Sequence, residues 1–459
     1  MYVAVSCKFR SKETPMFLFI IKASNVMRCE AMRVFVKSYG CAANLADGEV
    51  LAGCLAKARY KLAQSAAEAD VVIYNTCAVK APTENRMIEV LKRVPPEKKL
   101  IVAGCLPLIN FERLQREVRF DGVVGPAAGR KIVEAVKRVS EGRKIIMLTD
   151  ATEAMPSLDL PRLKANSVTS ILPVNYGCLG MCAYCCVVFA RGRLRSYPIA
   201  KLVEKVQQDV ATGMKELWIT SQDAACYGRD INTNLAALLK AICNVDGDFR
   251  VRVGMMTPNR AADILDELIE AFETPKIFKF VHLPVQSGDN DVLQRMCRFY
   301  SVQDFKEVVA AFRAAFPEIT FATDVICGFP GETREAFENT LKLINEIKPD
   351  IVNVSKFFPR PRTTAAAMQD DFVDLAEIKR RSTEVTKLVK QISLARNQNW
   401  IGWAGEVLID EKGKTPSSWI GRNFAYKPVV VKSAENLLGK MLQVKIVKAF
   451  PTYLVGKIE

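Results

Sequence analysis

The chain has 459 residues, of which 49% are hydrophobic and 25% are charged, and this composition is ordinary for a soluble globular protein. The length predicts two to four domains of about 100–200 residues, and the lack of an apolar run of roughly 18 residues excludes a transmembrane protein. The net charge of +15 favours a polyanionic partner over the alternative of a merely basic proteome. Fourteen cysteines without a secretion signal indicate a cytoplasmic protein in which some thiols bind metal.

The first residues differ in character from the rest of the chain. Met16–Ile21 is a short apolar patch after a basic stretch, and it lacks a small-residue cleavage site. The first clean strand begins only at Arg33, directly after Met32. We therefore expect residues 1–32 to be an extension that is disordered or mis-started.

Residues 33–150 alternate between β-branched runs and helical patterns, which predicts an open parallel α/β sheet. Cys41, Cys77 and Cys105 each follow the end of a successive predicted strand. Because the carboxyl ends of parallel strands meet at one edge, these thiols are expected to converge there as a three-cysteine metal site. The alternative is three isolated core cysteines, which more often lie inside strands. Cys54, at core spacing on a helix, is interpreted as packing.

Residues 151–166 contain prolines without periodicity and are predicted to be a linker. Residues 167–397 then resume the βα pattern with six candidate strands. This number favours a partial (β/α)6 barrel, whose chemistry lies at the carboxyl ends of the strands.

A cysteine triplet with C-x3-C-x2-C spacing lies in the loop after the first of these strands, at Cys178, Cys182 and Cys185. Three thiolates can hold a four-iron cluster and leave one iron open for a cofactor or substrate, since clusters held by protein alone normally take four cysteines. Zinc is the alternative, but zinc sites prefer two paired C-x2-C units or added histidines. The single histidine, His282, lies far away in the sequence.

Several polar residues and one glycine fall at predicted strand ends and could line a cofactor pocket. Gln222 and Asp223 follow the second strand, and the remaining candidates are His282, Asp324, Gly328 and Glu332. The alternatives are a tight barrel turn for the 324–332 loop and a structural hydrogen bond for His282.

Residues 398–459 change to short strands separated by turns, which predicts a small all-β barrel of the size used to bind nucleic acids. One turn segment interleaves a cation with aromatic residues, a combination that stacks on bases and contacts phosphates. The candidate RNA-binding residues are Arg422, Asn423, Phe424 and Tyr426.

From about residue 33 to its end, the chain resembles the radical S-adenosylmethionine methylthiotransferase family. The resemblance rests on the motifs around Cys41, Asn75-Thr-Cys77, Gly104-Cys105, Cys178–Cys185, His282–Gly288, Thr323–Glu332 and a terminal barrel that resembles a TRAM domain. It implies an auxiliary [4Fe-4S] cluster on Cys41, Cys77 and Cys105, a catalytic [4Fe-4S] cluster on Cys178, Cys182 and Cys185, S-adenosylmethionine as methyl donor and radical source, and tRNA as substrate. The resemblance implies no catalytic side chain, because the radical is generated at the catalytic cluster.

The resemblance is nearest to the archaeal and eukaryotic branch, through the Cys41 motif, the Ile219–Asp223 segment and the basic charge. That branch converts N6-threonylcarbamoyladenosine at position 37 of tRNA to its 2-methylthio derivative. The alternatives are isopentenyladenosine, a ribosomal-protein aspartate, or a non-catalytic RNA-binding iron–sulfur protein. The implied partners are tRNA, a ferredoxin-like or flavodoxin-like electron donor and an unknown sulfur donor.

Overall fold

The computed structural model describes residues 32–148 and 155–459. The extension predicted for residues 1–32 therefore lies outside the described residues, apart from Met32. The first domain contains β1 (Arg33–Ser38), α1 (Ala42–Lys57), β2 (Lys61–Leu62), β3 (Val71–Thr76), α2 (Ala81–Lys92), β4 (Lys99–Gly104), α3 (Leu106–Ile109), α4 (Phe111–Glu117), β5 (Gly122–Val124), α5 (Lys131–Ser140) and β6 (Ile145–Met147).

These strands form one parallel sheet in the order β2-β1-β3-β4-β5-β6. The central strand β3 is buried at every position because helices cover both faces of the sheet. The helix α5 shows how the sequence produces this layering: Ile132, Ala135, Val136 and Val139 recur at helical spacing and are all buried. The open parallel sheet predicted for this region is confirmed.

The second domain contains a longer series of alternating strands and helices. Its elements are β7 (Thr169–Pro173), β8 (Asn175–Tyr176), α6 (Val187–Arg191), β9 (Arg195–Ser196), α7 (Ile199–Ala211), β10 (Glu216–Thr220), α8 (Leu235–Cys243), β11 (Arg250–Arg252), α9 (Pro258–Ala262), α10 (Leu265–Phe272), β12 (Phe280–His282), α11 (Asn290–Arg295), α12 (Val302–Ala315), β13 (Thr320–Cys327), α13 (Arg334–Ile347), β14 (Ile351–Lys356) and α14 (Leu375–Gln398).

Six parallel strands of this domain form an open arc. Two three-stranded sheets, β11-β10-β7 and β12-β13-β14, are linked by a parallel bridge between Val251 and Ile277. The inner and helical faces share one apolar core that includes Leu217, Phe272 and Phe321. The prediction of a partial six-stranded barrel is confirmed, and the carboxyl ends of its strands open towards the first domain.

The third domain is a closed five-stranded barrel, as predicted. Its strands are β15 (Ala404–Lys412), β16 (Ser418–Arg422), β17 (Pro428–Lys432), β18 (Met441–Ala449) and β19 (Leu454–Ile458), in the order β15-β16-β17-β19-β18. Alternate residues such as Val429 and Val431 point inward and are buried. Within residues 32–148 and 155–459, no helix is long and apolar enough to cross a membrane.

Candidate functional site

Three cysteines lie at the carboxyl edge of the first sheet, after the adjacent strands β1, β3 and β4. Cys77 and Cys105 are buried, and Cys41 is exposed at the start of α1. Burial raises the pKa of the Cys77 thiol and raises that of Cys105 to about 12. The Cys41 thiol raises both pKa values further. Cysteine thiolates are the ordinary ligands of iron–sulfur clusters, and this edge of the sheet carries three cysteines. A cluster on Cys41, Cys77 and Cys105 stays a prediction.

Short polar contacts hold this cysteine edge in place. Asn75, fully buried, accepts a hydrogen bond from Asn44 at 3.0 Å and donates to the Asn44 carbonyl oxygen at 2.7 Å. Gly104 has φ +92°, and a Cβ there would come within 2.4 Å of the Thr76 carbonyl oxygen. The amide of Cys105 donates to that same oxygen at 3.0 Å. The Asn75-Thr-Cys77 and Gly104-Cys105 motifs thus fix the loops that carry the thiols.

The second cysteine set lies on the loop between β8 and α6. The loop turns around Gly180, where a Cβ would stand 3.2 Å from Cys178 Sγ and 3.6 Å from Cys182 Sγ. Burial raises the pKa of the Cys185 thiol to about 12, with further increases from Cys182 and Cys178. All three thiols are half-buried. A four-iron cluster on this triplet stays a prediction.

Arg298 places a positive charge at the triplet. Its Nη1 donates to Cys182 Sγ at 3.2 Å, and its Nη2 donates to the Pro284 carbonyl oxygen at 3.0 Å. The guanidinium also lies 5.1 Å from the Tyr300 ring centroid. A fixed cation at this position can compensate negative charge on a group bound at the triplet. This contact could not be predicted from the sequence, because Arg298 follows Cys182 by 116 residues.

Cys226 is a fourth thiol at the triplet that the sequence reasoning did not select. The Sγ atoms of Cys178 and Cys226 and a carboxylate oxygen of Asp223 all lie within 4.8 Å of one another. A hydrogen bond from Cys226 lowers the pKa of Cys178. Asp223, a predicted pocket residue, accepts hydrogen bonds from Thr257 Oγ1 at 2.6 Å and from the Thr257 amide at 3.0 Å. The second strand end therefore meets the triplet directly.

Gln222, the neighbouring predicted pocket residue, carries a buried oxygen that a ligand could satisfy. Among the described residues, its Oε1 atom has no hydrogen-bond partner. Buried polar atoms are normally paired, so an unpaired one at a strand end next to the triplet points to a ligand that donates a hydrogen bond there. A role of Gln222 in binding the cofactor stays a prediction.

His282, the last residue of β12, and Asp324, inside β13, form one polar pair. His282 Nε2 lies 3.0 Å from Asp324 Oδ1, which also accepts a hydrogen bond from Asn353 Nδ2 at 2.7 Å. Burial alone would raise the pKa of Asp324, but the hydrogen bond and charge of His282 lower it below its ordinary value. The pair is partly exposed and can present a carboxylate to a ligand.

Gly328 and Glu332 lie in a tight turn that packs against α14. Glu332 Oε2 accepts hydrogen bonds from the Gly328 amide at 2.7 Å and from Arg381 Nη1 at 2.8 Å. A Cβ at Gly328, whose φ is +75°, would come within 2.3 Å of Ile378. These contacts match the tight-turn alternative, while a role of either residue at the cofactor stays a prediction.

The two cysteine sets are joined through one buried carboxylate. Asp47, on the helix that follows Cys41, accepts hydrogen bonds from Tyr176 Oη at 2.5 Å and Arg191 Nη2 at 2.6 Å. Tyr176 immediately precedes the triplet loop and Arg191 ends the helix after it. Asp47 and Arg191 expose only 3% and 2% of their side chains. Both ends of the triplet loop are therefore tied to the domain that carries the first cysteine set.

The four candidate RNA-binding residues of the barrel lie at its contact with the central domain. Arg422 donates to Asp410 at 3.0 Å, Asn423 is fully buried, and the Tyr426 ring packs on Phe280 with centroids 5.2 Å apart. Phe424 remains 38% exposed. Of the four, Phe424 is thus the side chain best able to contact a ligand directly, and RNA binding by this segment stays a prediction.

Three family models match parts of the chain. Residues 172–344 match the radical SAM superfamily, residues 33–125 the uncharacterized protein family UPF0004, and residues 404–458 the TRAM domain. A radical S-adenosylmethionine methyltransferase from Kitasatospora setae shares the fold with a TM-score of 0.53 at 15% identity, over 73% of this chain and 75% of that one.

Relatives that match 93% of the chain share one description. The chain is 42% identical to a probable threonylcarbamoyladenosine tRNA methylthiotransferase of Pyrococcus abyssi, over 93% of this chain and 99% of the relative. It is 34% identical to the threonylcarbamoyladenosine tRNA methylthiotransferase of Homo sapiens, over 93% of this chain and 74% of the relative. By this identity over 93% of its length, together with its radical SAM and TRAM domains, the chain belongs to the threonylcarbamoyladenosine tRNA methylthiotransferase family of radical S-adenosylmethionine enzymes.

Proposed function

We propose that this chain converts N6-threonylcarbamoyladenosine at position 37 of tRNA to its 2-methylthio derivative, using S-adenosylmethionine and two [4Fe-4S] clusters. The observation that carries the proposal is the pairing of two three-cysteine sets across one domain interface, tied by Asp47 to Tyr176 and Arg191. The names of the relatives from Pyrococcus abyssi and Homo sapiens support the substrate.

The proposal assigns a task to each domain. Residues 33–150 hold the auxiliary cluster, residues 167–397 hold the catalytic cluster and S-adenosylmethionine, and residues 398–459 contact tRNA, with 151–166 as the linker. The setting is the cytoplasm, where a ferredoxin-like or flavodoxin-like protein supplies electrons. The match of residues 404–458 to the TRAM domain and the net charge of +15 support the RNA contact.

The residues of the chain bind and orient the reacting groups. When bound, S-adenosylmethionine and its cluster supply a carbon radical, which can remove a hydrogen that no side-chain base can take as a proton. Cys178, Cys182 and Cys185 would hold that cluster beside the Arg298 cation. Cys41, Cys77 and Cys105 would hold the auxiliary cluster, which would supply the sulfur chemistry. The unpaired oxygen of Gln222 and the carboxylate of Asp324 are available to polar groups of the cofactor.

Removing one thiol from each cysteine set tests which set is needed for cleavage of S-adenosylmethionine and which for methylthiolation. After anaerobic reconstitution, the unaltered protein is expected to hold about eight irons, as two four-iron clusters require. Cys105→Ala is expected to hold about four, to cleave S-adenosylmethionine still, and to leave tRNA without a methylthio group. Cys182→Ala is expected to lose both activities. Cys54→Ala, which removes a buried thiol from α1 away from the cysteine edge, is the matched control and should keep both.

The substrate is tested by mass spectrometry of nucleosides from tRNA incubated with the enzyme, S-adenosylmethionine and a low-potential reductant. A methylthio mass increment on threonylcarbamoyladenosine is the expected result. An increment on isopentenyladenosine alone, or no increment with both clusters intact, would overturn the proposed substrate.

A further inference from the structure

A second group of metal-ligating atoms lies beside the triplet and shares one cysteine with it. The Sγ atoms of Cys178 and Cys226 and a carboxylate oxygen of Asp223 all lie within 4.8 Å of one another. Elsewhere in the part of the chain that the structure describes, no three Cys, His, Asp or Glu side chains bring ligand atoms this close together. Cys182 and Cys185 do not belong to this group, so its geometry differs from that of the triplet.

The local sequence brings Asp223 and Cys226 together. They are three positions apart, and the chain between them forms a short 3₁₀ turn, Ala224–Cys226, in which side chains at this spacing lie above one another. Cys226 Sγ donates a hydrogen bond to Asp223 Oδ2 at 3.1 Å. Only 1% of Cys226 and 3% of Asp223 is exposed. The turn therefore presents a buried thiol and a buried carboxylate next to Cys178.

Hydrogen bonds from outside the group orient its ligand atoms. Asp223 Oδ1 accepts from the amides of Ala225 at 3.2 Å and Thr257 at 3.0 Å. Asp223 Oδ2 accepts from Thr257 Oγ1 at 2.6 Å, and the Gly180 amide donates to Cys178 Sγ at 3.1 Å. Such outer partners are typical of metal sites, where they fix the direction of each ligand. The ligand atoms are thus held in place by the fold.

The spacing and the chemistry of the group suit a single Zn²⁺ ion. Zinc binds sulfur at about 2.3 Å in a tetrahedron, which places two thiolates roughly 3.8 Å apart. The upper limit of 4.8 Å between the ligand atoms is close to this spacing. A four-iron cluster instead binds each thiolate to a different iron atom and needs a wider set of ligands. Thiolate ligands also favour Zn²⁺ over Fe²⁺, which binds most sites more weakly.

We propose that Cys178, Asp223 and Cys226 form a zinc site in the chain before its catalytic iron–sulfur cluster is assembled, with water as the fourth ligand. The dication offsets two of the three negative charges of these ligands. Because Cys178 belongs to both sets, zinc and a four-iron cluster on Cys178, Cys182 and Cys185 exclude each other. Zinc bound here therefore blocks assembly of the catalytic cluster. The zinc site is independent of the proposed function, whereas this exclusion rests on it.

Binding of Co²⁺ to the full-length apo-protein, kept anaerobic and reduced, tests the site. Co²⁺ replaces Zn²⁺ in tetrahedral sites, and its absorption spectrum reports both four-coordination and bound thiolate. The background is Cys182→Ala with Cys185→Ala, which leaves a single thiol in the triplet. Adding Cys226→Ala to this background is expected to remove about one bound Co²⁺ per chain. It should also weaken Zn²⁺ binding at least about 100-fold, since loss of an outer partner alone typically costs 10–100-fold.

Three further variants separate ligand loss from structural damage. Cys226→Ser keeps the size of the side chain and is expected to lose the same ion. Asp223→Asn keeps the shape of the carboxylate without its charge and should weaken Zn²⁺ binding about tenfold or more. Cys243→Ala removes a half-buried thiol at the end of α8 and is the matched control, which should bind as the background does.

The outcomes distinguish the zinc site, the exclusion and the proposed function. Equal Co²⁺ binding by the background with and without Cys226 would overturn the zinc site and leave the proposed function standing. The reconstituted unaltered chain, with about eight irons, should bind no Co²⁺ at this site, and a Cys226-dependent cobalt spectrum there would overturn the exclusion. Co²⁺ binding that depends on Cys226, combined with methylthiolation by Cys182→Ala, would support the zinc site and overturn the proposed function.

Discussion

Replacement of Asp47 by alanine is expected to separate the first two domains locally without unfolding either of them. Asp47 and Arg191 expose 3% and 2% of their side chains, so solvent does not screen the pair. Breaking a buried ion pair from one side costs about 3–5 kcal/mol, because the remaining charge stays buried without a partner. Asp47→Ala also leaves the Tyr176 hydroxyl without its acceptor. We expect most of this loss of free energy to weaken the interface between the first two domains.

Hydrogen exchange of the anaerobic apo-protein, measured by mass spectrometry, can detect the weakened interface. A loss of about 3 kcal/mol corresponds to roughly a 100-fold faster opening, since each 1.4 kcal/mol is tenfold. Peptides covering residues 39–50 and 176–192 should exchange faster, whereas peptides from β15 and β18 should not. Asp47→Asn, which keeps the shape and loses the charge, should give an intermediate increase.

A matched control is available on α5. Glu134 pairs with Arg138 at the surface, with 47% and 49% of the side chains exposed, and exposed pairs contribute about 0–1 kcal/mol. Glu134→Ala should therefore leave exchange at the interface unchanged. Equal exchange rates in Asp47→Ala, Glu134→Ala and the parent protein would refute the view that Asp47 ties the two domains.

Three more changes probe the site and the barrel. Burial is the largest cause, and the charge of Asp410 the second, that raises the pKa of Glu216 from 4.5 to about 8. Contact between the barrel and the central domain should therefore be strongest below about pH 4.5 and weaken as pH rises to about 8. In thermal unfolding from pH 5 to 9, Glu216→Gln should make stability depend less on pH. Gly104→Ala should lower iron content, because its Cβ would meet the Thr76 carbonyl oxygen at 2.4 Å; unchanged iron would contradict this. Tyr426→Ala should destabilise docking of the barrel by about 3–5 kcal/mol, as for other large buried rings, and speed proteolytic release of the barrel; a rate equal to that of the parent would contradict it.

The parallel sheet, the partial barrel and the terminal barrel could be predicted because their signals are local. Strand and helix periodicities repeat along the chain, and Cys41, Cys77 and Cys105 each follow a strand end, so topology alone brings them to one edge. The spacing of Cys178, Cys182 and Cys185 is likewise contained in eight consecutive residues.

The charges around the cysteines could not be predicted in this way. Arg191 is separated from Asp47 by 144 positions and Arg298 from Cys182 by 116, and no periodicity links residues so far apart. Their pairing depends on how whole domains meet. Cys226 had a weak signal, since it follows Asp223 by three residues after a strand end, but a small turn was needed to bring its thiol to Cys178.

The segment from Arg422 to Tyr426 shows a different limit of sequence reasoning. A cation interleaved with aromatic rings is suited to RNA, and the same residue types are equally suited to a buried contact between domains. Here Tyr426 packs on Phe278 and Phe280, and Arg422 pairs with Asp410. Residue type alone does not distinguish the two uses, because both rely on a flat ring beside a guanidinium.

The Asp47 tie also limits how this protein can be recombined with its relatives. A chimera that takes residues 33–148 from one protein and the remainder from another must bring a carboxylate on α1 together with an arginine at the end of α6 and a tyrosine before the triplet. If only one partner is exchanged, a buried charge is left alone at the junction. These three positions should therefore be inherited as a unit, although they come from two domains.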